Sequence, residues 1–224
     1  MIYLDFDGVI CDSAKEAFYI SLVTSRKIEN IHDKRFEYLY PRYLELRNKV
    51  THAWTYYYVL ESMFSETVKY EEWLFNSQVE EFERRFFETR QKIKDTQYDD
   101  WIKLHTFYEP VLQKLRGIRS AFIILTNKDA GAVSELCKLN DILPLEIISM
   151  ASMDKSLKKI DIIKKRLPVN GSARFLDDNY ETVVESKCLA AVQVNQAAWG
   201  YADKFDKDSM ISLNQFNDWF GGNI

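Results

Sequence analysis

The chain has 224 residues, enough for one large domain or for a core domain carrying a sizeable insertion. Hydrophobic residues make up 46%, so a buried core can form, and a net charge of −4 offers no basic footprint for nucleic acid. No apolar run is long enough for a bilayer, no signal-peptide pattern is present, and three cysteines without CxxC spacing speak against a disulfide framework or a zinc site. The expectation is a soluble, cytoplasmic protein with no membrane partner. The sequence carries no readable signal of oligomeric state.

In chain order, the first expected element is an apolar strand, Met1-Ile2-Tyr3-Leu4, which runs into Asp5-Phe6-Asp7-Gly8. Two carboxylates one residue apart repel each other unless a cation or a shared proton lies between them. Ser13-Ala14-Lys15-Glu16 reads as a capping box, so a helix is expected directly after this loop. Pro41 is expected to start or bend a helix. Phe75, Val79, Phe82 and Phe86 recur at helical spacing, with Glu80, Glu81, Glu83, Arg84 and Arg85 as a solvated face. Arg47, His52, Trp54, Tyr56, Tyr57 and Tyr58 lie close together and read as bundle core and rim. Residues 14–107 thus read as a bundle of about four helices.

From about residue 108 the texture changes to alternating strands and helices. Expected strands are Ala121–Leu125, Leu145–Ile148, Ala173–Leu176 and Ala190–Val194. Helical stretches lie near 130–139, 156–167 and 179–187, and a short closing helix near 215–220. Strands alternating with helices imply crossover connections and a parallel sheet covered on both faces. The opening strand is of the same type. Acidic or hydroxyl residues follow the strands: Asp5 and Asp7 after the first, Thr126-Asn127 after the next, Asp177-Asp178 after a later one. The carboxyl ends of strands in an open parallel sheet are where ligands bind. Hard oxygen ligands converging there suit Mg²⁺, whose charge also relieves the repulsion among the acids.

"DFDGVICDS", "ILTNKD" and "FLDDNYETV" resemble the first, second and fourth motifs of the haloacid dehalogenase superfamily of phosphatases and phosphomutases. A helical insertion directly after the first motif resembles its type-one cap, as in β-phosphoglucomutase and phosphoglycolate phosphatase. The resemblance implies an α/β fold with a Rossmann-like parallel core (residues 1–13 and 108–224) and an inserted α-helical cap (14–107). It implies Asp5 as the nucleophile that forms an aspartyl-phosphate, and Asp7 as general acid and then base. The backbone carbonyl of Asp7 would also touch the metal. Thr126 and the amide of Asn127 would hold the transferring phosphoryl group. Mg²⁺ would be held by Asp5, Asp7 and Asp178, with Asp177 acting through water or as a supporting partner. The third motif is a lysine just ahead of a helix; Lys155, Lys158 and Lys159 are the candidates, and Lys159 fits best.

Other chemistries lack their residues. No cysteine has the arginine six positions on that a cysteine phosphatase loop needs: Ala17, Leu143 and Val194 stand there. There is no G-x-S-x-G elbow, Walker lysine loop or G-x-G-x-x-G. His32, His52 and His105 have no metal-ligand spacing. The expected activity is Mg²⁺-dependent hydrolysis of a small phosphorylated metabolite. A phosphomutase of the same architecture is the first alternative, and a catalytically silent binding protein on this fold the second.

Overall fold

The computed structural model describes residues 1–65, 73–119 and 121–221. The chain forms two compact units, Met1–Asp12 with Phe107–Ile224, and Ser13–Thr106. It begins with β1 (Ile2–Leu4), wholly buried, and the two-residue β2 (Cys11–Asp12). Helices α1 (Ala14–Thr24), α2 (Tyr40–Arg47), α3 (Thr55–Phe64), α4 (Ser77–Thr96) and the short α5 (Tyr98–Ile102) follow. Pro41 lies in the first turn of α2, where a missing N–H breaks no helical hydrogen bond. Asn76 caps α4, its Oδ1 accepting from the amides of Gln78 at 2.9 Å and Val79 at 3.2 Å. Val79, Phe82 and Phe86 form the buried face of α4, and Phe86 stacks on Tyr56 at 5.2 Å. Arg47 is also buried, its guanidinium 5.7 Å from the Tyr56 ring centre, so this aromatic cluster builds interior.

Three local expectations are corrected here. Phe75 precedes the α4 cap and is exposed, because the chain is still extended at that point. Glu83 is buried rather than solvated, and its Oε1 accepts from the amide of Trp54 at 3.3 Å. Ser13 does precede α1, but its side chain makes no capping hydrogen bond to the helix, so the capping box does not close. Glu16 is fully buried at 0% exposure and turns to Arg90, with Nε–Oε1 at 2.6 Å and Nη2–Oε2 at 3.0 Å. Trp101 Nε1 adds a third hydrogen bond at 3.2 Å. A buried carboxylate needs a paired cation more than a helix terminus needs one cap.

The chain returns through β3 (Thr106–Phe107) and then alternates: α6 (Glu109–Arg116), β4 (Phe122–Thr126), α7 (Ala130–Leu139), β5 (Glu146–Ser149), α8 (Lys159–Arg166), β6 (Ala173–Asp177), α9 (Tyr180–Ser186), β7 (Val192–Ala197), β8 (Met210–Ile211) and α10 (Phe216–Gly221). Six strands form one all-parallel sheet in the order β5-β4-β1-β6-β7-β8. This is an α/β fold with a Rossmann-like core, as the alternation of elements implies. Sequence reasoning did not name α6 or β8; both are short, and β8 is a two-residue edge strand.

Alternation along the strands divides the sheet's two faces. Tyr3, Ile123, Leu125 and Phe175 join Ile162 and Ile163 of α8 and Val183 of α9 in one core. On the opposite face, Phe122 meets Phe220 of α10, ring centres 6.0 Å apart. Arg174, a charged residue in a buried strand, donates to the carbonyl of Trp219 and so ties α10 to the sheet. Among the described residues no helix is long and apolar enough to cross a membrane.

The Glu16–Arg90 pair sets a test. Arg90→Ala strands a buried carboxylate and lowers unfolding free energy by about 3–5 kcal/mol in urea titration. Adding Glu16→Gln to that variant restores part of the loss. Unchanged stability in Arg90→Ala contradicts the role given to the pair.

Candidate active site

Register places the acids. Leu4 lies opposite Ile124 on one side and Leu176 on the other, so β1, β4 and β6 end side by side. Asp5 extends β1 by one bond, its amide donating to the carbonyl of Leu176 at 3.0 Å. Because β1 is central and its neighbours lead outward in opposite directions, this is the topological switch point of the sheet.

The loop after β1 is tight. The carbonyl of Phe6 accepts from the amides of Ile10 at 2.9 Å and Cys11 at 3.0 Å, and the Gly8 amide donates to the carbonyl of Cys11 at 2.9 Å. Gly8 has φ of +82°, open to glycine and strained for other residues. Space forbids a side chain there as well: a Cβ on Gly8 would lie 2.3 Å from Asp178 Oδ2. Gly200 closes the other side, where a Cβ would lie 2.3 Å from Asp178 Cβ. Two glycines therefore flank one carboxylate, which also accepts from the Tyr201 amide at 2.7 Å.

Asp5, Asp177 and Asp178 each present an oxygen such that all three lie within 4.8 Å of one another, and all three residues are buried. Lys159 Nζ stands 2.7 Å from Asp5 Oδ2 and 2.7 Å from Asp177 Oδ2. The remaining oxygens are engaged by backbone: Asp5 Oδ1 accepts from the Phe6 amide at 2.7 Å, and Asp177 Oδ1 from the Asn179 amide at 2.8 Å. Burial pushes the Asp5 carboxyl up to about 7; Lys159 opposes the rise, and Asp177 and Asp178 add to it. Burial works against the Lys159 charge, but Asp177 and Asp5 outweigh it and raise its pKa.

Three buried carboxylates gather here, and the Lys159 ammonium lies beside two of them. The donors are all hard oxygens. One divalent cation of the Mg²⁺ type fits both facts.

The other expected site residues are placed as follows. Thr126 ends β4, almost wholly buried, and its Oγ1 accepts from the Lys128 amide at 3.1 Å. Asn127 follows it, half-buried. Asp7 lies outside the three-carboxylate cluster; its Oδ1 is 3.4 Å from Lys128 Nζ. Of the three candidate lysines, Lys159 reaches the cluster, from the first residue of α8 rather than from ahead of it. Lys158 is exposed and pairs with Glu185 at 2.6 Å; Lys155 Nζ donates to the carbonyl of Ala151 at 3.2 Å. Sequence reasoning missed Lys128, Gly200 and Tyr201. Lys128 stands inside "ILTNKD", but a loop lysine usually reads as solvated; Gly200 and Tyr201 belong to no motif.

These charges make a linkage prediction. A carboxyl whose pKa is raised in the fold keeps a proton that the unfolded chain releases, so metal-free stability falls as pH rises from 3.8 toward 7. Mg²⁺ competes with that proton. Mg²⁺ at a hundredfold excess over its Kd should therefore stabilise by about 2–3 kcal/mol at pH 8, and by less at pH 5, read as a Tm shift. Asp178→Asn and Gly200→Ala should each shrink the shift. A shift that is equal at both pH values, or intact in Asp178→Asn, contradicts the site.

A scan of family models and a search of curated proteins return no match to this chain. Solved structures do match over nearly the full length. A haloacid dehalogenase-like family hydrolase from Streptococcus pneumoniae aligns with TM-score 0.59 at 15% identity, covering 98% of this chain and 97% of its own. A "predicted phosphoglycolate phosphatase" from Haemophilus somnus aligns with TM-score 0.58 at 14% identity, covering 98% and 96%. Protein tyrosine kinase A of Mycobacterium tuberculosis aligns with TM-score 0.60 at 15% identity, covering 99% and 97%. At such identities the likeness speaks of fold. Together with the strand order and the acidic strand ends, it shows that this chain has the haloacid dehalogenase-like fold.

Proposed function

We propose that the protein is a Mg²⁺-dependent phosphatase that hydrolyses a small phosphorylated metabolite in a reducing, cytoplasmic compartment. The observation that carries this reading is the cluster of Asp5, Asp177 and Asp178 around Lys159 at the sheet's switch point. The fold neighbours' titles include hydrolase, phosphatase and kinase, so the reading rests on the site.

Phosphoryl transfer asks for in-line positioning and for positive charge around the equatorial oxygens. Asp5 Oδ attacks phosphorus, and the bond to the ester oxygen breaks. Asp7 gives its proton to the departing alkoxide, which leaves as an alcohol. Asp7, now a carboxylate, takes a proton from water. The resulting hydroxide attacks the aspartyl-phosphate, the bond from phosphorus to Asp5 breaks, and phosphate leaves with both carboxyls restored. Thr126 Oγ1 and the Asn127 amide hold the phosphoryl oxygens. Lys159 keeps Asp5 in place and offsets its repulsion from an anionic substrate. Asp5 and Asp178, with Asp177 in support, would hold Mg²⁺, which would supply charge neutralisation.

The test is hydrolysis of p-nitrophenyl phosphate and a panel of phosphorylated metabolites, with and without Mg²⁺. Asp5→Asn should abolish turnover, and Asp7→Asn should lower kcat on alkyl phosphates by about 10²–10⁴-fold. Free phosphate is the expected product; an isomerised sugar phosphate would instead mark a phosphomutase. Undiminished turnover in Asp5→Asn overturns the reading.

A further inference from the structure

A strand beside the acids carries an amide where its pattern calls for an apolar side chain. Val192, Val194 and Gln196 alternate onto one face of β7, and the two valines join the apolar core. Gln196 is fully buried, at 0% exposure. Burying an amide is unfavourable unless its polar atoms find partners. Its Nε2 donates to the carbonyl of Asp178 at 3.0 Å and to that of Lys204 at 2.8 Å, and its Oε1 accepts from the Asp206 amide at 2.7 Å. Both amide hydrogens are therefore used. The partners also fix which way round the group sits, because two carbonyls need the nitrogen and an N–H needs the oxygen.

All three partners are backbone groups, and they belong to two loops. Asp178 follows β6, whose Asp177 is paired with Gln196 in the sheet. Lys204 and Asp206 lie in the loop between β7 and β8. That loop also carries Gly200, close against Asp178, and Tyr201, whose amide donates to Asp178 Oδ2 at 2.7 Å. Asp178 is thus held at two points: at its carboxylate by the Tyr201 amide, and at its carbonyl by Gln196, which fastens the same loop. We propose that Gln196 is a positioning residue for the metal site, holding the loop after β7 against the Asp178 backbone so that Tyr201 and Gly200 keep the Asp178 carboxylate beside Asp5 and Asp177. This rests on the metal-binding reading above. Carboxylates that repel one another move apart unless the backbone around them is fixed before a cation arrives. Glutamine suits the task because one planar group offers two donors and an acceptor on a stem long enough to join both loops.

The test is metal affinity in the full chain, read from the electron paramagnetic resonance signal of free Mn²⁺. Gln196→Met keeps the length of the side chain and removes all three hydrogen bonds. It should weaken Mn²⁺ binding by about 10–100-fold. In the metal-free protein it should also speed hydrogen exchange at the Tyr201 amide at least about tenfold, because the loop opens locally. Gln196→Asn, whose amide is one methylene too short to join both loops, should show the same two changes. Leu115→Ala opens a cavity at a fully buried position of α6, beside α10, and serves as the control. It should lower stability in urea yet leave Mn²⁺ affinity and Tyr201 exchange at their wild-type values. Unchanged Mn²⁺ affinity in Gln196→Met, an equal loss in Leu115→Ala, or a Tyr201 amide as protected as in the wild type overturns the proposal. If Gln196→Met does not fold, Gln196→Asn carries the same comparison. Wild-type protein that binds no Mn²⁺ would instead overturn the metal-binding reading.

Discussion

Everything at this site depends on like charge forced into a small buried volume. The carboxylates of Asp5, Asp177 and Asp178 gather at the ends of adjacent strands, and Asp5 and Asp177 share the ammonium of Lys159. Burial raises the energy of each uncompensated charge, which is why the Asp5 carboxyl is pushed up to about 7. An arrangement this unfavourable needs a rigid frame, and the parallel sheet supplies it. With β4 on one side of β1 and β6 on the other, the strand ends cannot separate without breaking buried ladder hydrogen bonds.

The surrounding loops tighten the frame further. Gly8 and Gly200 approach Asp178 more closely than any side chain allows, and the Tyr201 amide fixes one of its oxygens. Tyr201 also reaches across with its hydroxyl to Asp12 Oδ1 at 2.8 Å, tying the loop after β7 to β2. Trp199 Nε1 donates to the carbonyl of Val9 at 3.1 Å and ties the loop after β7 to the loop after β1 as well. The acids are thus positioned by backbone and packing, not by one another. A site of mutually repelling groups has to be built that way.

The legible parts of the fold were those with a local signal. Apolar runs bounded by polar loops located β4, β5, β6 and β7 to within a few residues, and the acids at their ends were visible as sequence. What was hidden depended on contacts distant along the chain. By its spacing Glu16 is the closing residue of a capping box with Ser13, yet it pairs with Arg90, on α4. Glu83 looked solvated because neighbouring charges gave no hint of the Trp54 amide. Lys158 and Lys159 are adjacent, and no composition argument separates them. The helical phase of α8 does: one ammonium meets Glu185 outside and the other meets Asp5 inside. Lys128 was hidden for the same reason, since burial of a loop lysine is decided by what packs around it.

On the proposed reading these acids share one divalent ion. It is tested most directly by soaking crystals in Mn²⁺, an oxygen-preferring ion whose anomalous scattering marks its position. A single strong peak is expected about 2.1 Å from carboxylate oxygens of Asp5 and Asp178, with Lys159 still beside Asp5 and Asp177. No peak among these three acids, or a peak elsewhere on the chain that touches none of them, would contradict it.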